Sequence, residues 1–424
     1  MLKGFNLVGQ KESAEGTEFL QVFSTASRKI LIEKFSVATP DEVDKAVAKG
    51  ASAFELYKLV SPEKKAIFLE TIAAEIMAIG DKLIQRAMSE SGLPEGRLLG
   101  ERVRTTGQLK LFADILREGS WVEAVIDTAL PERKPLPRSD IRRMQVPIGP
   151  VVIFGASNFP FAFSTLGGDT ASALAAGNTV IVKAHEAHAG TNELMGGAIK
   201  TAIEKCGLPD GTFSFVNGNG AVTGMQLVKH PAIKAVGFTG SYKAGMAIYK
   251  AAVNDREIPI PVYAEMSSIN PILLLPEKLQ TDINYIATMI AGSVTLGVGQ
   301  FCTNPGLIFL IDNEASKTFR NKLTILLSTT PAATMLNPAV CNNYYKSRQK
   351  LLRQKGVKIL YCGNDEADTY KGSAALVQVS DTAFMSNPTL QHEVFGPSSL
   401  IVLCKHKSSM LAALQSLQSS LQYS

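Results

Sequence analysis

Charge is scarce in this sequence: only 19% of its 424 residues are Asp, Glu, Lys or Arg, against about a quarter in an ordinary soluble protein. A thin charged layer suits a large core, or a subunit that covers part of its surface with copies of itself. The 43 basic and 38 acidic residues leave a net charge of +5. No Lys/Arg block interleaved with aromatics appears, so no nucleic-acid partner is expected. Cysteine is sparse too. The five (Cys206, Cys302, Cys341, Cys362 and Cys404) are odd in number and far apart, with no C-x-x-C. That argues against a disulfide framework and a zinc site, so no metal is expected and a reducing compartment is. Long apolar runs are also missing. The most apolar stretch, Ile290 to Ile311, is interrupted by Gln300, Asn304 and Pro305, which is too broken to span a bilayer. The opening MLKGFNLVGQKESAEG has neither an apolar h-region nor a small-residue cleavage site. A cytoplasmic location without membrane contact is the expectation.

What is present is a hydrophobic fraction of 46% on a chain too long for one ordinary core, so two or more domains are expected. Up to about Ser120 the pattern is mostly helical after a short strand near Phe5–Val8. Pro40-Asp41-Glu42 opens one helix, and Ser61-Pro62-Glu63 opens a second with proline at its first position. A third is expected from about Glu101 to Arg117. Leu130–Gln145, with three prolines and five Lys/Arg, breaks the pattern as either a linker or an exposed arm. From Pro147, short β-rich runs (Val151–Phe154, Thr179–Lys183, Thr212–Val216, Ala235–Phe238) alternate with helical segments (Thr165–Ala176, Gly190–Lys205, Ala221–Lys229, Tyr242–Val253). This alternation predicts an α/β fold with an open parallel sheet covered on both faces. Beyond Glu265 the spacing predicts a helix near Asp282–Gly297, a strand near Leu307–Ile311, a helix from Glu314 and a strand at Leu400–Cys404. The end, SSMLAALQSLQSSLQYS, reads as a helix that stops without a partner. No internal repeat is evident.

Ligands of such sheets bind beyond the carboxyl ends of the strands. The first of these strands is followed by Gly155-Ala156-Ser157-Asn158-Phe159-Pro160, the second by Lys183-Ala184-His185-Glu186. The third leads into Asn217-Gly218-Asn219-Gly220, with Gly224 further on, and the fourth into Thr239-Gly240-Ser241 at a helix start. Together they offer a nucleotide a lysine and a carboxylate for its ribose, and a helix N-terminus for its pyrophosphate. The GxGxxxG at Gly218–Gly224 departs from the usual dinucleotide fingerprint and equally suits a tight turn with a close-packed helix. Lys183 and Glu186, taken alone, equally suit a surface ion pair. Cys302 lies among Gly, Gln, Thr, Asn and Pro, which favour a loop where a thiol is accessible rather than inert core. Glu265 is the one charged residue between Ile258 and Pro276. A lone acid and a lone thiol in neutral surroundings make a candidate base and nucleophile.

The segments SNFP, AAGNTVIVKAHE, GFTGS, AEMSSINP, GQFCTNP and HEVFGP, in this order, resemble the aldehyde dehydrogenase superfamily from about residue 20 to 403. Glu90–Ala113 and Gly167–Asn178 are similar to its α-ketoglutaric semialdehyde (2,5-dioxopentanoate) branch. The resemblance implies a Rossmann-like cofactor domain, a second α/β catalytic domain and a small β arm for subunit contact in a homo-oligomer. The corresponding boundaries are 1–125 with 146–264, 265–424, and 126–145. It implies that Cys302 attacks the aldehyde, that Glu265 activates the hydrolytic water, and that Asn158 helps hold the oxyanion. Lys183 and Glu186 would hold the adenine ribose, Ser241 with Gly240 the pyrophosphate, and Glu393 and Phe395 the nicotinamide end of NAD or NADP, NAD being favoured. Gly220 and Gly224 complete the expected cofactor set, and Arg104 and Phe159 are expected to meet the substrate.

Three departures qualify the match. Glu265-Met266-Ser267-Ser268 stands where the family usually reads Glu-Leu-Gly-Gly. About two extra residues lie between Asn158 and Asn178, relative to the commoner branches, and would reshape the substrate mouth. Family members also run well past HEVFGP, so a C-terminally incomplete catalytic domain is expected. Two other readings stay open: a general or fatty-aldehyde enzyme, and a truncated inactive homologue. A CoA-acylating enzyme would not need Glu265. Arg104 either pairs with Glu101 or grips a substrate carboxylate.

Overall fold

A computed structural model describes residues 2–417. The predicted alternation is realised as a sheet built from β1 (Asn6–Val8), β2 (Lys11–Ser13), β3 (Val151–Phe154), β4 (Val180–Lys183), β5 (Phe213–Val216), β6 (Ala235–Gly240) and β7 (Val262–Met266). The strand order is β7-β6-β3-β4-β5-β1-β2. β3 to β7 are parallel, while β1 runs antiparallel to β5 and β2 antiparallel to β1. The chain moves outward from β3 through β4 to β5, then returns to the other side of β3 for β6 and β7. That reversal opens a crevice beyond the carboxyl ends of β3 and β6, where doubly wound sheets bind ligands.

The strands are apolar on both faces because helices cover both, and successive side chains alternate between them. Val151, Ile153, Val180, Val182, Phe213 and Phe215 enter one core, with helices α2 (Pro62–Ala78), α4 (Glu95–Glu118), α5 (Gly168–Ala175) and α6 (Ala189–Cys206). The helix α3 (Asp81–Ser91) joins that side. Val152, Phe154, Ile181, Val216, Val236 and Phe238 enter the opposite core, against α1 (Pro40–Tyr57), α7 (Met225–Lys229) and α8 (Tyr242–Asn254). Local chemistry sets the starts: Thr39 and Glu42 form a reciprocal cap on α1, and Ser61 with Pro62 begins α2.

A second sheet contains β8 (Pro271–Leu274), β9 (Leu307–Ile311), β10 (Lys358–Cys362), β11 (Ala375–Ser380) and β12 (Ser398–Cys404) in the order β8-β9-β12-β11-β10. Only the β10–β11 pair is antiparallel. Helices Ile283–Thr295 and Glu314–Ser328 cover one face. Between α4 and β3 the chain forms a two-stranded ladder, Val125–Asp127 with Ile141–Arg143, with Ile126, Ile141, Met144 and Val146 exposed. The proline-rich segment is therefore an exposed arm rather than a plain linker.

Several expectations shift. The third helix begins at Glu95, after Pro94, rather than near Glu101, and its glycines are tolerated because a side chain at Gly96, Gly100 or Gly107 would meet nothing. The helix expected over Ala221–Lys229 starts as a π turn at Gly220–Gly224, and only Met225–Lys229 is α-helical. The helix expected to reach Gly297 ends at Thr295, and Gly297 and Val298 then adopt left-handed conformations that turn the chain towards Cys302. The C-terminal helix, Lys407–Gln415, does have a partner: Met410 and Ala413 are buried against Leu400, Val402 and Cys404 of β12. The remainder of that expected helix, 418–424, lies outside the described residues. The expected boundary after residue 264 falls inside β7, which stays in the first sheet through Met266.

Candidate active site

Cys302 lies in the turn between helix Ile283–Thr295 and β9, and the turn is tied down from two sides. Asn270 Nδ2 donates to the carbonyls of Cys302 (2.6 Å) and Asn304 (2.9 Å). Asn304 Nδ2 in turn donates to Gly396 O at 3.2 Å, drawing in the segment that carries Glu393 and Phe395. The approach is close enough to demand glycine: a Cβ on Gly299 would lie 2.3 Å from the Gly396 carbonyl carbon.

Glu265 is the fourth residue of β7, opposite Thr239 of β6, and it is exposed towards the crevice. The Cys302 thiol lines the same cavity, near enough for the carboxylate to act on it. Burial pushes the thiol above its ordinary pKa, and the charge and hydrogen bond of Glu265 push it further. The thiol therefore rests protonated, with the Glu265 side chain beside it on the cavity wall. Asn158 follows β3 and donates one amide hydrogen to Gln300 O at 3.2 Å. Its second amide hydrogen has no partner among the described residues. Burial raises the Glu393 carboxyl, although the Ser268 N–H and the Ser267 hydroxyl bond it and work the other way.

A cavity of about 410 Å³ joins these groups: Asn158, Gly240, Ser241, Glu265, Cys302, Glu393 and Phe395 all line it. It opens at the β3/β6 crevice, where Gly155 and Ala156 face Thr239 and the start of α8. Ser241 caps that helix, its hydroxyl accepting from Ala244 N–H at 3.3 Å. Lys183 and Glu186 do not line the cavity but flank its wall residue His185, and they pair with each other at 2.6 Å. Burial works to raise the Glu186 carboxyl. Its contact with Lys183, helped by His185, outweighs that and brings it down to about 2. Burial also takes His185 down to about 3, so the ring is neutral. Its Nδ1 accepts from Ala187 N–H at 3.1 Å, which leaves the proton on Nε2.

Gly220 and Gly224 stand outside the cavity. A side chain at Gly224 would strike the Phe154 ring, so this glycine serves close packing, and one at Gly220 would meet nothing. Arg104 and Phe159 form a neighbouring cluster. Phe159 meets Phe163 and Phe301 edge-on at 5.2 and 5.4 Å between centroids, and Phe301 precedes Cys302. The Arg104 guanidinium sits over Phe159 and Phe163 at 5.4 and 5.0 Å. It does not pair with Glu101, which bonds Arg97 instead. Sequence reasoning did not single out Arg97 or Asn270, and it named Glu101 only as a partner for Arg104, His185 only at a strand end, Gln300 only as a break in an apolar run and Ser267-Ser268 only as a departure from the family pattern. Arg97 and Glu101, at i and i+4 on one helix, carried a readable ion-pair signal. The others are brought in by chain pairing alone. Among the described residues no group of His, Cys, Asp and Glu is arranged to hold a metal, and no helix is long and apolar enough to cross a membrane.

Comparison with known proteins agrees with this geometry. Residues 11–423 match the aldehyde dehydrogenase family. An α-ketoglutaric semialdehyde dehydrogenase of Azospirillum brasilense is 48% identical over 421 residues, which are 99% of this chain and 80% of that protein. One from Acinetobacter baylyi is 45% identical over 391 residues, 91% of this chain and 73% of that protein. Among solved structures, an NAD-dependent benzaldehyde dehydrogenase from Corynebacterium glutamicum superposes with a TM-score of 0.82. It is 19% identical, over 99% of this chain and 88% of that one, so the likeness concerns the fold.

Proposed function

Because the chain belongs to the aldehyde dehydrogenase family, whose members oxidise aldehydes with NAD(P)+ through a cysteine, we propose that it oxidises α-ketoglutaric semialdehyde or a closely related short semialdehyde acid. The observation that carries this reading is the convergence of the Cys302 thiol, the Glu265 carboxyl group and the half-free Asn158 amide on one cavity. The 48% identity to the Azospirillum enzyme supports the substrate class. A carboxylate-bearing aldehyde also finds a counter-charge. Arg104 has no ion pair or hydrogen bond among the described residues, only two aromatic faces beneath it. The general or fatty-aldehyde alternative draws on those same rings but leaves that guanidinium unused.

In the proposed mechanism Cys302 S attacks the aldehyde carbon while the thiol proton passes to Glu265. The new oxyanion takes the second Asn158 amide hydrogen and the Cys302 N–H. A bound nicotinamide dinucleotide supplies the hydride acceptor, and loss of hydride from the former aldehyde carbon leaves a thioester on Cys302. Once Glu265 has released its first proton, it takes one from water as that water attacks the thioester. Collapse frees the carboxylic acid and restores the thiol. Aldehyde, NAD(P)+ and water thus yield acid, NAD(P)H and a proton.

The cavity fits such a cofactor in donor chemistry. Helix α8 begins at Ser241 with its positive end towards the crevice, Lys183 and Glu186 flank one end, and Glu393 and Phe395 line the other. These would hold the pyrophosphate, adenine ribose and nicotinamide end, respectively. Glu186, ionised and ready to accept from ribose hydroxyls, favours NAD with NADP tolerated. In this reading the seven-stranded sheet carries the cofactor and the five-stranded sheet the nucleophile. The arm, with its exposed Ile126, Ile141 and Val146, pairs with another copy of the chain. Five free cysteines suit a reducing compartment, the cytoplasm.

The test is NAD(P)H formation from a semialdehyde acid by the wild-type chain and Cys302→Ala. The variant is expected to lose both dehydrogenase and esterase turnover while binding cofactor as before in a fluorescence titration. Esterase turnover that survives Cys302→Ala would assign the nucleophile elsewhere.

A further inference from the structure

Helix α4 sends two charged side chains beneath the loop that carries Asn158. The Arg97 side chain is 16% exposed and the Glu101 side chain 1% exposed, and they form an ion pair one helical turn apart. Glu101 Oε1 also accepts the backbone N–H groups of Phe161 (2.8 Å) and Ala162 (2.9 Å). Arg97 donates through its second terminal nitrogen to the Asn158 carbonyl at 3.0 Å. One buried pair thus holds the Asn158 loop at three backbone points, one carbonyl and two N–H groups. The same guanidinium lies over the Phe159 ring at 4.4 Å and the Phe301 ring at 5.1 Å. Phe301 precedes Cys302, and Asn158 reaches the same turn through Gln300. The two loops that must meet in the chemistry therefore share one support, delivered by a helix that itself lines none of the cavity.

We propose that the Arg97–Glu101 pair is a positioning device that sets the Asn158 amide against Cys302, so that an oxyanion formed on the cysteine meets a donor already in place. The inference rests on the assignment of Asn158 as oxyanion donor. The physical ground is steep distance dependence. A donor stabilises a developing oxyanion only when fixed at hydrogen-bond distance from it, and removing such a donor typically slows the reaction by about 10²–10³-fold. A loop tied through one carbonyl and two N–H groups keeps its adjacent side chain within a narrow range. Burial strengthens the tie, because Glu101, 1% exposed, has no water to replace its partner. Lysine could keep the charge at position 97, but it cannot bond Glu101 and the Asn158 carbonyl in one plane while also covering two rings. The role thus depends on the shape of arginine more than on its charge.

The experiment is a double-mutant cycle on the pre-steady-state burst of NAD(P)H, using wild type, Arg97→Met, Asn158→Ala and the double variant. Arg97→Lys serves as the conservative control, and far-ultraviolet dichroism with cofactor titration checks each fold. Arg97→Met is expected to slow the burst by at least about tenfold in the wild-type background, where Asn158 is present to be misplaced. In the Asn158→Ala background the same substitution should change the burst by less than about twofold, because coupled residues are non-additive. Arg97→Lys should fall between wild type and Arg97→Met, with the cofactor Kd unchanged in all soluble variants. If Asn158→Ala alone leaves the burst rate intact, the oxyanion assignment fails. If Asn158→Ala slows it but Arg97→Met adds its full effect in both backgrounds, the positioning inference is overturned. Should Arg97→Met fail to fold, the cycle runs with Arg97→Lys, and additivity in that cycle overturns the inference in the same way.

Discussion

Truncating Arg104 to Ala asks the structure a quantitative question, because everything this side chain does to the fold is visible. Its guanidinium is solvent-exposed and makes two cation–π contacts, at 5.4 and 5.0 Å. Exposed contacts of this kind are worth about 0.5–1 kcal/mol each. No ion pair is broken, since Glu101 belongs to Arg97. The unfolding midpoint should therefore move little. A substrate carboxylate seated on the guanidinium is a charge-assisted contact worth roughly 1.5–3 kcal/mol, or about tenfold to over a hundredfold in affinity. Steady-state kinetics with a semialdehyde acid and with an uncharged aldehyde of equal length separate the two terms. KM for the acid is expected to rise at least about tenfold, with kcat held, while the uncharged aldehyde is almost unaffected. Equal losses on both substrates would refute the reasoning. They would mean that Arg104 only orders the Phe159–Phe163 face, and that the carboxylate partner lies elsewhere.

Replacing Glu265 with Gln should slow the NAD(P)H burst and stall turnover, because both the first attack and thioester hydrolysis lose their base. A burst at the wild-type rate would confine Glu265 to the hydrolytic step. The same substitution removes a negative charge that holds the Cys302 thiol up. The pH profile of iodoacetamide alkylation should therefore move to lower pH, and an unmoved profile would deny the contact. Glu186→Ser should narrow any preference for NAD over NADP in cofactor titrations. A strong NADP preference that ignores this change would overturn the ribose assignment. Gly396→Ala should lower stability by about 1–3 kcal/mol, since its Cβ would lie 2.2 Å from Tyr344 Cδ2 at a positive φ. An unchanged denaturation midpoint would show that the turn can adapt.

The first sheet was legible because its strands obey local rules. Val151–Phe154 and Phe213–Val216 are short, apolar on both faces and punctuated by glycine and asparagine, a pattern that few structures other than a buried parallel strand can satisfy. Strand order, by contrast, has no local signature. Nothing in Lys183 or Thr239 says that β3 lies between them, yet that neighbourhood creates the crevice. The start of α4 was placed too late, and its Gly96, Gly100 and Gly107 lie on a face where no side chain is missed.

The site divides along the same line. Cys302 and Glu265 were readable because each is chemically out of place: a thiol among turn formers and a carboxylate in a neutral run. Residues that act by holding others had no such contrast. Asn270 is an ordinary asparagine until its amide is found on two carbonyls of the cysteine turn, and only pairing of β8 with β9 brings it there. Gly218–Gly224 left two readings open, phosphate binding or a close-packed helix, and the Phe154 ring packed against Gly224 speaks for the second. A glycine pattern reports that something comes close, and only the fold decides whether that is a ligand or a neighbouring side chain. At Gly299, noticed in the sequence only as a turn former beside Cys302, the close neighbour is the backbone of Gly396. That contact locks the turn of Cys302 to the segment of Glu393. A glycine that matters to the chemistry thus need not belong to a glycine motif, because the approach it permits joins residues about ninety positions apart.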